Sequence, residues 1–118
     1  MAELVQRLIP ELTRAVPMKV RTARASGNYL EAIVLRKDVE GCLAALRQAL
    51  GPPVKDFDNA ATLEPKLQRA LDEVGGIRID QCLFLKSDEP PHTVYAALWP
   101  WASDPERITL RVGVFTLV

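Results

Sequence analysis

The chain has 118 residues, of which 48% are hydrophobic and 25% are charged, and its 15 basic side chains equal its 15 acidic ones. This length and composition predict a single globular domain, 1–118, that can bury a core without metals or disulfides. The zero net charge excludes a strong overall attraction to nucleic acid or to an anionic membrane.

The cysteines and the first residues indicate a cellular compartment. Cys42 and Cys82 fall in predicted apolar elements without metal-site spacing, so we interpret them as buried thiols rather than a disulfide. The first residues include the acid Glu3 and lack the apolar core of a signal peptide, and no apolar run approaches the roughly 20 residues of a membrane span. The sequence therefore predicts a cytoplasmic protein.

The first third of the chain predicts a helix and then a hairpin. Apolar residues at helical spacing from Leu4 to Val16 form one stripe, which Pro10 interrupts. We therefore expect either a kink or a break into two short helices, 2–9 and 10–15.

Beyond Pro17, residues 18–25 alternate in polarity and 29–36 are β-branched and apolar. The sequence Ser26-Gly27-Asn28 supplies turn residues between them, which predicts a β-hairpin.

Two helices are predicted in the middle of the chain. Asp38 is a natural N-cap for a helix that ends at Gly51. Its predicted buried face comprises Val39, Cys42, Leu43, Leu46 and Leu50. A second helix is predicted from Thr62 to Gly75, with Leu67 and Leu71 fully buried in its apolar stripe.

Three β-type runs, 77–86, 93–99 and 107–118, follow, separated by proline-containing loops. Loops of this length connect neighbouring antiparallel strands, so this third of the chain predicts a meander. The last run is largely apolar on both faces and should be internal to the sheet, whereas Pro100 suits a strand end. The whole chain therefore predicts an α+β fold: an antiparallel sheet of about five strands with helices packed on one face.

Alternation along the three runs separates two faces of this sheet. One face is aliphatic and suits the helices. The other carries rings and arginines, the residue types enriched at protein interfaces, and its candidate contact residues are Arg78, Phe84, Tyr95, Trp99, Trp101, Arg111 and Phe115. We expect an interface with Trp99 as the central anchor; the other interpretation is a second internal core.

The sequence contains no recognisable catalytic constellation. His92 is the single histidine, and it falls in a predicted loop without an acid or cysteine at metal-site spacing. We therefore predict a non-catalytic protein without a cofactor or metal, whose partner is a second copy of itself or another protein.

Two alternatives remain. One is an enzyme or small-ligand binder with a pocket between sheet and helices. The other is nucleic-acid binding by the basic hairpin through Lys19, Arg21 and Arg24 with Tyr29. No motif is specific enough to indicate a family.

Overall fold

The computed structural model describes residues 3–23, 28–57, 65, 69, 72, 81–87 and 92–116. Within these residues the elements are α1 (Glu3–Ala15), β1 (Lys19–Ala23), β2 (Leu30–Leu35), a 3-10 helix (Arg36–Asp38), α2 (Val39–Leu50), β3 (Cys82–Ser87), β4 (His92–Pro100) and β5 (Arg107–Thr116). The described strands form one antiparallel sheet in the order β1-β2-β5-β4-β3. The predicted α+β fold with an antiparallel sheet is confirmed.

β5 is the central strand of this sheet. It pairs with β2 from Leu30↔Val112 to Leu35↔Arg107 and with β4 from His92↔Thr116 to Pro100↔Ile108. The prediction that the last strand is internal is therefore confirmed. Pro100 ends β4 as expected, at a position where a missing amide hydrogen is tolerated.

Pro10 lies inside α1, which runs through it as a single helix. The predicted break into two short helices is therefore wrong. Pro10 is exposed, so the distortion that proline causes falls on the solvent side. The apolar stripe on the opposite side buries Val5, Leu8 and Leu12, and this burial favours one continuous helix.

α2 follows the prediction closely. Asp38 is its N-cap, although the Asp38 side chain makes no capping hydrogen bond. The chain leaves the helix at Gly51, whose φ of 84° suits glycine and whose amide donates to the Arg47 carbonyl at 2.8 Å. The five residues predicted for its buried face, Val39, Cys42, Leu43, Leu46 and Leu50, are all buried.

α1 and α2 pack against the same side of the sheet, which we call the inner face. It carries Leu30, Ala32 and Val34 of β2 together with Ala96 of β4 and Leu110 of β5, and these join the buried helix residues in one core cluster. The register places Glu31, Tyr95, Trp99, Thr109 and Arg111 on the opposite side, the outer face.

Phe84 lies on the inner face, which corrects its predicted place beside Tyr95 and Trp99. It pairs with Ala96, which in turn pairs with Val112, and it is fully buried in the core cluster. The error has a physical cause. Residues 82–85 are all apolar, so alternation cannot show which of them face the helices. The register with β4 determines this.

The two edges of the described sheet differ. β1 is exposed along its whole length and has an irregularity in its register between Val20 and Thr22. At the other edge Lys55 bridges to Leu83 of β3, its amide donating at 3.3 Å and its carbonyl accepting at 2.8 Å.

Several predicted features lie outside the described residues. They include Arg78, Leu67, Leu71, the first two residues of the predicted hairpin turn, Ser26 and Gly27, and residues 88–91 of a predicted loop. In the predicted helix after Thr62, Pro65, Arg69 and Asp72 are helical and exposed. In the part of the chain that is described, no helix combines the length and the apolar character of a membrane span.

Candidate functional site

Both tryptophans of the chain lie at the Pro100 end of the outer face. Trp99 pairs with Thr109 across β4 and β5. Trp101 follows the end of β4, but its indole N–H donates to Thr109 Oγ1 at 2.8 Å and its backbone N–H to the Arg107 carbonyl at 2.9 Å. These two hydrogen bonds hold the Trp101 ring on the outer face at Thr109, the residue that pairs with Trp99.

An arginine stacks on each tryptophan. The guanidinium carbon of Arg111 lies 5.2 Å from the centre of the Trp99 ring, and that of Arg107 lies 5.4 Å from the centre of the Trp101 ring. Both distances are typical of cation–π contacts, which restrict the rings and the guanidinium groups to defined orientations.

Each of these arginines also contacts an acid. Arg111 Nη2 lies 3.1 Å from Glu31 Oε1, to which the Tyr29 hydroxyl donates at 3.4 Å. Arg107 Nε lies 3.2 Å from Asp104 Oδ2. The positive charge at both tryptophans is therefore balanced locally, which differs from the uncompensated basic groove that binds a phosphate backbone.

We call this region the tryptophan patch: Leu35, Trp99, Trp101, Arg107 and Arg111. Leu35 shares the outer face, since it pairs with Arg107, and it is 44% exposed. Trp99 and Trp101 are half-buried, and the side chains of Arg107 and Arg111 are 51% and 28% exposed. The patch thus presents apolar and aromatic surface that a partner can contact.

Tyr95 and Phe115 lie further along the outer face but are buried within the single chain, at 4% and 9% exposure. Their ring centres are 5.8 Å apart. They therefore belong to an internal packing layer rather than to a surface that meets a partner directly.

The structure thus brings together three of the seven predicted contact residues, Trp99, Trp101 and Arg111. Sequence reasoning missed Leu35 and Arg107. Alternation in β2 places Leu35 with Glu31 and Ile33, but the pairing of β2 with β5 is needed to show that this side is the outer face. Arg107 opens β5, where sequence alone does not indicate its contact with Trp101.

A second feature lies on the inner face, where α2 meets the sheet. It is a cleft of about 340 Å³, lined by Arg36, Val39, Glu40, Leu43, Arg47, Asp56, Phe57, Pro100 and Ile108. This is the location predicted for a ligand pocket in the alternative interpretation of the sequence.

The two cysteines are not suited to act as nucleophiles. Cys42 and Cys82 are free, buried thiols, as predicted. Burial raises the pKa of Cys42 to about 12 and that of Cys82 to about 11, so neither thiol forms the reactive thiolate at neutral pH. Among the residues described, no group of three or more His, Cys, Asp or Glu side chains is arranged to hold a metal ion.

His92 and the cations of the predicted basic hairpin are not part of the tryptophan patch. His92 begins β4, at the end opposite Trp99. Lys19 and Arg21 are exposed on the edge strand β1. Arg24 lies outside the described residues.

Comparison with protein-family models, with curated proteins and with solved structures finds no significant match.

Proposed function

We propose that this protein acts through protein contacts made by the tryptophan patch, and that its partner is a second copy of the same chain. One observation carries the proposal: two half-buried tryptophans lie on one sheet face at Thr109, each stacked by an arginine whose charge an acid balances. Tryptophan and arginine are the residues that most often dominate binding energy at protein interfaces.

The local charge balance favours a protein partner over nucleic acid. Arg107 and Arg111 each contact a carboxylate, and a phosphate backbone would have to compete with those acids. A protein surface can instead cover the rings while the ion pairs remain at its rim.

A second copy fits because the arginines of the patch and the acids that contact them, Glu31 and Asp104, together supply both signs of charge. In a two-fold dimer each patch meets its own image, so Arg111 of one copy can approach the acids of the other. The exposed Leu35 and the two rings then supply the apolar centre of the contact. We place this association in the cytosol, which the two free thiols support, because disulfides are rare in that reducing compartment.

The test is the molar mass in solution, measured by sedimentation equilibrium over a range of protein concentrations. We expect a reversible dimer. Replacing the central anchor, Trp99→Ala, should weaken it by about thirtyfold, the equivalent of roughly 2 kcal/mol for an interface hot spot. Leu35→Glu should also dissociate it, because the change buries an unpaired carboxylate in the contact.

Val54→Glu provides the matched control. Val54 is 45% exposed, nearly the same as Leu35, but it is not part of the patch, so this variant should dimerise like the wild type. Circular dichroism melts of each variant will show whether the fold is retained. A wild-type chain that stays monomeric at high micromolar concentration contradicts the proposal, as does a dimer that Leu35→Glu and Trp99→Ala leave intact.

A further inference from the structure

The cleft on the inner face combines an apolar floor with a charged rim. The floor consists of Val39, Leu43, Phe57, Pro100 and Ile108. Its volume of about 340 Å³ lies at the lower end of the range for small-molecule sites, roughly 300–1,000 Å³. The cleft therefore has the size and lining of a site for a small ligand with an apolar body.

Arg36 lines the cleft and is held in place by two hydrogen bonds. Its Nε donates to the Pro105 carbonyl at 2.9 Å, and its backbone amide donates to the Glu106 carbonyl at 2.8 Å. The hydrogen bond through Nε orients the planar guanidinium group. Its terminal nitrogens make no hydrogen bond to the described residues, so they remain available for the bidentate contact that arginine makes with carboxylates.

Glu40 also lines the cleft, in the first turn of α2 and four residues after Arg36. Within the described part of the chain, the Arg36 and Glu40 side chains do not form an ion pair with each other. A guanidinium group and a carboxylate group thus line the same cleft, and neither neutralises the other.

We propose that this cleft binds a zwitterion of the α-amino acid class that carries a large apolar side chain. The ligand carboxylate pairs with Arg36, its ammonium group pairs with Glu40, and its side chain lies on Leu43, Phe57 and Ile108. An α-amino acid carries both charges next to its side chain, so it can pair with a basic and an acidic residue of the lining at once. The lining also holds Arg47 and Asp56, so a simple anion would meet two carboxylates and a simple cation would meet two guanidinium groups.

The experiment is a titration of the ¹⁵N-labelled full chain, followed by two-dimensional NMR, with three probes that share a phenyl group. L-Phenylalanine carries both charges, 3-phenylpropionate lacks the ammonium group and 2-phenylethylamine lacks the carboxylate. We expect saturable shifts at the cleft residues with L-phenylalanine. Each analogue should bind at least about tenfold more weakly, the equivalent of one lost charged contact.

Substitutions at Arg36 and Glu40 test the contribution of each charge to binding separately. Arg36→Gln should weaken L-phenylalanine binding about tenfold or more, whereas Arg14→Gln should leave it unchanged. Arg14 is a matched control because it is also exposed and also donates its Nε to a carbonyl, that of Pro10. Glu40→Gln should weaken L-phenylalanine but strengthen 3-phenylpropionate, because it removes the repulsion between two carboxylates.

Opposite effects of Glu40→Gln on the two probes distinguish ligand contact from loss of structure, because unfolding would weaken both. Three results overturn the proposal: no saturable shift with L-phenylalanine at millimolar concentration, equal affinity for all three probes, or shifts centred outside the cleft.

Discussion

At Gly113 a missing side chain allows an aromatic ring to pack directly on the sheet. Gly113 pairs with Tyr95 across β5 and β4. A Cβ atom at position 113 would lie 2.8 Å from the Tyr95 hydroxyl oxygen and 2.9 Å from a ring carbon. Glycine weakens a strand interior because it has no side chain to pack. Here the buried Tyr95 ring covers the backbone of Gly113.

Gly113→Ala should therefore lower the free energy of unfolding by about 1–3 kcal/mol, the usual cost of overpacking. The ring has little room to move, since Tyr95 is 4% exposed. Chemical denaturation measures the loss. In a Tyr95→Leu background the same substitution should cost much less, because the atoms that clash are gone. Equal costs in the two backgrounds would show that the ring is not the cause.

The two buried thiols predict a loss of stability at alkaline pH. Burial raises the pKa values of Cys42 and Cys82 from 9.0 to about 12 and about 11. Above pH 9 the unfolded chain loses these protons while the folded chain keeps them, so the free energy of unfolding falls as pH rises toward the folded pKa values. Below pH 9 both states are protonated and the thiols cause no pH dependence.

Urea denaturation between pH 8 and about 11 tests this expectation. The wild type should lose more stability over that interval than a Cys42→Ala/Cys82→Ala variant, in which only the tyrosines, lysines and other groups titrate. Parallel pH profiles for the two proteins would mean that the thiols ionise in the folded state as easily as in the unfolded chain.

Among the elements, β5 connects the two halves of the sheet. The N-terminal hairpin reaches the rest of the sheet through the β2–β5 pairing, and β4 lies on the other side of β5. Its inner-face residues Ile108, Leu110 and Val112 are buried in the core cluster. Loss of part of β5 therefore removes pairing partners and core packing at the same time.

Deleting residues 114–118 should produce an insoluble or unfolded chain. The deletion removes Val114, Phe115 and Thr116, the partners of Val94, Thr93 and His92, and leaves that end of β4 as an open edge with unpaired backbone groups. Solubility, circular dichroism and thermal melting measure the outcome. As a control, Thr116→Ser keeps the backbone pairing and should melt cooperatively. A soluble, cooperatively melting deletion would show that this end of β5 is dispensable.

For the whole molecule, the described sheet offers its faces to partners more readily than its edges. The β1 edge carries the exposed cations Lys19 and Arg21 and an irregularity between Val20 and Thr22, features that oppose strand-to-strand association. Along β3, Lys55 occupies part of the other edge, and its Nζ donates to the Gln81 carbonyl at 2.6 Å. We therefore place the proposed contacts at the tryptophan patch on the outer face and at the cleft on the inner face, rather than at the edges of the described sheet.

The amino-acid sequence by itself determined the elements whose pattern is unambiguous. The buried face of α2 follows from apolar residues at helical spacing, and its end follows from Gly51. The internal position of β5 was predicted from a run that is largely apolar, although Arg107, Thr109 and Arg111 lie on its outer face. These features depend on local periodicity and backbone preference, which a single segment expresses without knowledge of its neighbours.

Tertiary structure decided which side chains share a surface. Consecutive apolar residues around Phe84 carry no alternation, so pairing with β4 alone places that ring in the core. The contact of Arg111 with Glu31 joins residues 80 positions apart, through a register between β2 and β5 that neither strand encodes alone. The burial of Tyr95 and the exposure of Leu35 also depend on what packs on the sheet. Alternation along a strand shows on which face a side chain lies, but it does not show what covers that face.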